Sequence, residues 1–241
     1  MKFDKAVSLG LNCQCRYNIS RILLNRTKLK KDNVSTKDPY DYGTHFFDWS
    51  VSPLDSVIKI LNSDFQNTFM LENLKLVPLN ENEQTVLDQG SGCEYPHIFE
   101  KTKFGNCSRK DLERDFEKAK QKIDPLVDKT KALLSSNERA LFVVTGNSKA
   151  QDLLNLNSAI ENYRDSNYMI LHTTWKNKFG FEDSFRVENE RFIVKPITHT
   201  PYPGDFNSWD EAFSDIDLEL PLDKNPLRVT LAWLRKIALR G

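Results

Sequence analysis

The sequence predicts an α/β fold of three layers around a mostly parallel sheet, and three observations predict it. Short apolar runs at 6–9, 140–145, 168–173 and 191–197 read as buried strands, and amphipathic helical stretches lie between them. The first two runs each end in a glycine, Gly10 and Gly146, able to turn the chain into a helix. Strands that alternate with helices build parallel sheets covered on both faces, and such sheets bind ligands beyond the carboxyl ends of their strands. Gly10, Gly146, His172 and His199 all fall near those ends. The 241 residues are expected to form one domain, 1–241, with an irregular insertion around 64–107.

Asn12 is a good N-cap for a helix that carries Ile19, Ile22 and Leu23 on one stripe, which places Cys13 in the first turn. Residues 25–43, with Lys28, Lys30, Lys31 and Lys37, read as a solvated loop. Asp48 follows as one carboxylate among His45, Phe46, Phe47 and Trp49, and an acid buried there requires a specific partner. Ser52 and Pro53 open a core helix with Leu54, Val57, Ile58 and Leu61 inward. Short strands are expected at 74–77, 85–87 and 95–99, with Gly90 and Gly92 bending the chain between the last two. A long helix over 108–136 starts from Ser108 and Asp111 as a capping box, and Pro125 is expected to divide or kink it. Residues 140–160 make a βα unit through Gly146-Asn147-Ser148. Pro201, Pro203 and Gly204 form a rigid loop to Asp205 and Asn207, Ser208 caps a short helix bearing Trp209 and Phe213, and an amphipathic helix over 226–240 closes the chain.

Lys plus Arg and Asp plus Glu number 34 each, so no global field favours nucleic acid or an acidic membrane surface. No run approaches the roughly 18 apolar residues of a membrane span, and the N-terminus has no signal-peptide core, so a cytoplasmic protein with reduced cysteines is expected. The four cysteines lack a standard metal-ligand spacing. Neither G-x-G-x-x-G nor G-x-x-x-x-G-K-[ST] occurs. No metal and no cofactor is therefore expected.

Cys13 carries the chemistry of this reading. A helix N-terminus holds about half a positive charge and N–H groups without intrahelical partners. These favour a thiolate and could hold the oxyanion formed when sulfur attacks a carbonyl. Cys15 lies far around the helix on the apolar stripe and reads as a buried thiol.

The pattern Ser8-Leu9-Gly10 with Cys13, followed by Phe47-Asp48-Trp49, resembles a bacterial and viral family of unknown function described as papain-like cysteine peptidases. That family's pattern is S-L-G-x-x-C, then P-F-D-W, an H-D-F-like motif, and a late aspartate and tryptophan. Here Phe46 replaces the proline, His97-Ile98-Phe99 has isoleucine for the aspartate, and Asp205 with Trp209 matches the late pair. The resemblance implies a cysteine hydrolase or transferase with Cys13 as nucleophile, His97 or His199 as base, and Asp48 or Asp205 as orienter. His97 has the motif in its favour, and His199 its strand-end position. Gly10, Asn12, Trp49, Asn147 and Trp209 are the expected substrate contacts.

Two alternatives stay open. The nucleophile directly after the first strand, with Asn147 as oxyanion donor, is similar to the SGNH hydrolases, although Ser208 stands where their Asp-x-x-His pair has histidine. A strand leading into the nucleophile helix fits an SGNH-like or Rossmann-like layering better than a true papain fold. The other alternative is a non-catalytic sugar-nucleotide-binding module in surface polysaccharide biosynthesis. The substrate class is a small molecule, glycan or peptide, and the oligomeric state is not encoded in any motif.

Overall fold

A computed structural model describes residues 1–11, 13–30, 44–176 and 190–218, except the side chains of 24–30 and Trp49. Four parallel strands make the central sheet in the order β2-β5-β6-β7: β2 (Lys5–Ser8), β5 (Ala140–Thr145), β6 (Tyr168–Trp175) and β7 (Phe192–Ile197). The register pairs Ser8 with Val143 and Thr145 with Thr173. A two-residue strand β1 (Lys2–Phe3) runs parallel to β8 (Asp217–Leu218) beside it. This is the expected three-layer α/β architecture.

β5 explains why the sheet needs both covers. Every residue in it is buried, so its side chains alternate between two cores. Ala140, Phe142 and Val144 enter the core made with α2 (Leu54–Asn62), α3 (Arg109–Leu134) and α4 (Ala150–Glu161). Leu141 and Val143 enter the opposite core, where Cys15, Ile19, Ile22 and Leu23 of α1 (Cys13–Lys30) meet Trp209 of α5 (Phe206–Ala212) and Phe213 just beyond it. Each such side chain contributes roughly 1.5–3 kcal/mol by leaving water. An alternating strand with polar residues on one face would leave one helix layer without a seat.

Residues 44–107 pack on the α3 side through aromatic rings. Phe46 lies 5.0 Å from Phe47 and 5.6 Å from Phe65, and Phe69 lies 5.0 Å from Tyr95 and 5.7 Å from Phe116 of α3. The antiparallel pair β3 (Leu74–Pro78) and β4 (Gln84–Asp88) projects from this cluster. The buried Asp88 carboxylate accepts from the Phe69 and Gly90 N–H groups and the Ser91 hydroxyl, which closes the turn after β4. Apolar area and satisfied backbone groups together hold a segment with little regular structure.

Several elements differ from expectation. α1 extends to Lys30, into the stretch read as a loop. Residues 95–99 form no strand; instead Glu94 bridges Val51 and Leu87, and a 3-10 turn (Glu100–Phe104) follows. α3 runs unbroken through Pro125. That residue is exposed, so water can serve the carbonyl its ring leaves unpaired. β6 continues past His172 to Trp175, and α5 starts one turn earlier than expected, capped by Asp205 rather than Ser208. The expected helix over 226–240 and Lys31 and Lys37 lie outside the described residues, as do the side chains of Lys28 and Lys30.

Candidate active site

The turn between β2 and α1 is built from close backbone contact. Gly10 has φ of 100°, and a Cβ there would lie 2.5 Å from the Ser52 carbonyl oxygen. Only glycine fits. Leu11 follows with φ of 66°, a left-handed conformation that costs a non-glycine residue about 1–2 kcal/mol, and its N–H donates to the same Ser52 oxygen at 3.0 Å. These two residues bring the chain over the sheet end and start α1 at Cys13.

Cys13 is partly exposed, whereas Cys15, Cys93 and Cys107 are buried. Burial pushes the Cys13 thiol above its ordinary value, the nearby Asp48 carboxylate adds to the rise, and a backbone hydrogen bond opposes it. Accessibility meets the requirement for a nucleophile. The resting thiol, however, is shifted away from the thiolate, because desolvation outweighs the backbone hydrogen bond.

An open cleft of about 290 Å³ lies beside this turn, beyond the carboxyl ends of β2, β5 and β6. Leu9, Leu11, Ser52, Gly146, Asn147 and Trp175 line it, with Asp55 and Asp152 at the starts of α2 and α4. Gly146 repeats the solution used at Gly10: its φ is 110°, and a Cβ would sit 3.0 Å from Leu11. His172 Nε2 donates to the Gly146 carbonyl at 2.6 Å, so this buried imidazole holds the turn. Asn147 is exposed, and its Oδ1 accepts from the Trp175 N–H at 3.1 Å.

The loop after β7 is tied to α1 by two side chains. Gln14 Nε2 donates to the Thr200 carbonyl at 3.3 Å, and Asn18 Nδ2 to that of Pro203 at 2.8 Å. His199 packs edge-on against Trp175, ring centroids 4.5 Å apart. Asp205 caps α5 by accepting the Ser208 N–H, and the Ser208 hydroxyl accepts the Thr198 N–H. Asp205 thus holds Ser208, which in turn holds the backbone of Thr198, the residue before His199. Its carboxyl is held below the usual range, with the Ser208 hydrogen bond the largest cause.

The other expected site residues lie elsewhere or outside the description. His97 is exposed, and the charges that act on it are those of Lys103 and Glu83. Trp209 is fully buried against Phe213 in the α1–α5 core. Asp48 is fully buried and has its partner in Arg16, whose Nε is 3.5 Å from Oδ2. Asn12 and the side chain of Trp49 are outside the described residues. Sequence reasoning missed Arg16, Ser52 and Trp175. Arg16 was detectable in principle, since a buried Asp48 requires a partner and Arg16 stands next to the inward Cys15 on α1.

Among the described residues no cluster of three or more His, Cys, Asp or Glu side chains could hold a metal ion, and no helix is long and apolar enough to cross a membrane. The fold and site define an α/β protein with an accessible thiol at the start of the helix that follows its first sheet strand. A family model described as "Putative papain-like cysteine peptidase (DUF1796)" matches residues 4–174, and the chain belongs to that family. The match covers the Cys13 turn, Asp48 and the cleft lining other than Trp175, and ends before His199. No curated protein and no solved structure matches the chain.

Proposed function

We propose that the protein is a cysteine-dependent hydrolase or acyl transferase in which Cys13 attacks an acyl carbon and His199 is the base. The supporting observation is the meeting of two elements at the carboxyl end of the sheet. A partly exposed thiol opens α1, and the hydrogen bond from Gln14 to Thr200 ties that turn to the loop carrying His199. Because burial keeps the thiol protonated, a base has to take its proton as the sulfur attacks, and the same group returns it to the leaving atom. The first-turn N–H groups of α1 and the Asn147 amide would hold the oxyanion. Trp175 occupies the Asn147 oxygen, which leaves Nδ2 to donate.

Asp205 orients His199 indirectly, and the cleft between Leu11 and Trp175 takes the acyl portion of an amide, ester or thioester. His97 is the second choice for the base, supported by its motif and not by its surroundings. A reducing cytoplasm would keep the thiol in the active form.

The test is the pH-dependent rate of iodoacetamide alkylation at each cysteine of the folded protein, read by peptide mass spectrometry, together with acylation by p-nitrophenyl acetate. Cys13 is expected to react far faster than the three buried cysteines, and His199→Ala to remove acylation while His97→Ala leaves it. If Cys13 stays protected until unfolding, the mechanism is wrong. Loss of acylation in His97→Ala alone would move the base to His97.

A further inference from the structure

We infer that Asp48 and Arg16 form a buried pair that positions the Cys13 helix, and that Asp48 restrains the thiol instead of serving as the acid of a Cys-His-Asp triad. The inference deepens the reading of Cys13 as nucleophile and rests on it.

The carboxylate sits where three elements meet. Arg16 lies one helical turn after Cys13 and is fully buried, with Nε 3.5 Å from Asp48 Oδ2. The same oxygen accepts the His45 N–H at 2.7 Å, which closes the 3-10 turn (Phe46–Trp49) that contains Asp48. β2 is the end strand of the sheet, and the N–H groups of Lys5 and Leu9 point inward to Arg139 and Val143. Alternation therefore turns the Ser8 N–H toward the outer edge. Asp48 covers that edge, and the Ser8 N–H helps to hold its charge. One side chain thus joins the strand that ends at the nucleophile turn, the helix that begins there, and the turn packed against both.

Oδ2 is taken by Arg16 and the His45 N–H, Oδ1 is buried without a hydrogen-bond partner among the described residues, and neither oxygen meets a histidine ring, so Asp48 does not orient an imidazole here. The only histidine in its own turn is His45, whose ring Nδ1 has no hydrogen-bond partner among the described residues. The charged and titratable groups around Asp48 are Arg16, Cys13 and Cys15 of α1, His45, Lys129 of α3, and Lys5 of β2 beside His45 and Lys129. Toward Cys13 the ionised carboxylate is repulsive to a thiolate. A triad acid works in the opposite sense, by favouring the imidazolium that accompanies the thiolate. All three guanidinium nitrogens of Arg16 are buried without a hydrogen-bond partner among the described residues, so its charge depends on the Asp48 carboxylate 3.5 Å away for compensation.

The experiment is the pH profile of Cys13 alkylation by iodoacetamide in the full chain, for the wild type, Asp48→Asn, Arg16→Met and the double variant, with urea unfolding of each. Asn keeps an acceptor oxygen for His45 and removes the charge. Asp48→Asn is expected to lower the apparent thiol pKa and to speed alkylation several-fold at neutral pH. Arg16→Met should raise that pKa and unfold at lower urea, and the double variant should recover both. If Asp48→Asn slows alkylation or leaves the profile unchanged, or if the double variant is no better than Arg16→Met, the pair is not as inferred. Should Arg16→Met fail to fold, the other two variants still decide. Cys13 that alkylates in the expected pattern but is never acylated by p-nitrophenyl acetate defeats the nucleophile reading and leaves the pair standing.

Discussion

The two flanks of the Cys13 turn are built on opposite principles. On the cleft side, glycine, leucine and tryptophan surround open space, and the polar groups are backbone amides and side chains near solvent. On the Asp48 side Arg16, Asp48 and His45 are all buried, the Arg16 and Asp48 charges answer one another, and the His45 N–H donates to the carboxylate. Open space with few committed hydrogen bonds suits a ligand, whereas a buried charge pair fixes geometry and is costly to disturb. The Cys13 turn lies between them, with the open cleft against Leu9 and Leu11 on one side and the buried Asp48–Arg16 pair on the other.

The comparison can be broken first on the cleft side. His199→Ala is expected to lower the rate of acyl transfer by about 10²–10⁴, the usual contribution of a positioned base. Steady-state kinetics with p-nitrophenyl acetate reads this, and a change under threefold would remove His199 from the mechanism. Next in size is Arg16→Met, which leaves a buried carboxylate unpaired and should cost about 3–5 kcal/mol. Urea unfolding of the purified protein checks it, and a loss under 1 kcal/mol would show the pair to be dispensable.

Gly10→Ala tests the turn that joins the flanks. A left-handed backbone and a methyl driven against the Ser52 carbonyl should cost about 1–3 kcal/mol or displace Cys13. Thermal unfolding with Cys13 alkylation separates those outcomes, and an unchanged variant on both would mean the turn is not tight.

The smallest net effect is the pH dependence of the buried flank, because two contributions oppose. Burial raises Asp48 from 3.8 to about 6, so the folded state holds its proton more tightly than the unfolded one; that stability is full below 3.8 and lost as pH rises to about 6. Burial lowers His45 from 6.5 to about 3, so the folded state disfavours its proton, and that stability is full above 6.5 and lost as pH falls to about 3. Between about 3.8 and 6 the slopes cancel in the wild type. Asp48→Asn should uncover the His45 slope as a steeper loss of stability below pH 6.5, measured by urea unfolding across pH. Parallel profiles for the two proteins would contradict these shifts.

Much of this was legible in the residues, and the exceptions share a cause. The run Ala140–Thr145 announces a strand buried on both faces, since nothing in it could face water. The Ser8-Leu9-Gly10 to Cys13 pattern gave the strand, the turn and the first helical residue. The expected strand at 95–99 failed because its aromatic residues serve a ring cluster with Phe46, Phe69 and Phe116 instead of a sheet, and alternation cannot distinguish the two.

By itself the sequence determined the layering, the placement of Cys13 at a helix start and the need for a partner to Asp48. These follow from periodicity, from glycine at the strand ends and from the cost of a buried charge, all properties of residues and near neighbours. Only the tertiary structure decided that the partner is Arg16, that burial raises the Cys13 thiol, and that the His199 loop reaches α1. Those outcomes depend on groups brought together across as many as 186 positions, as between Gln14 and Thr200, and on how much water their meeting excludes.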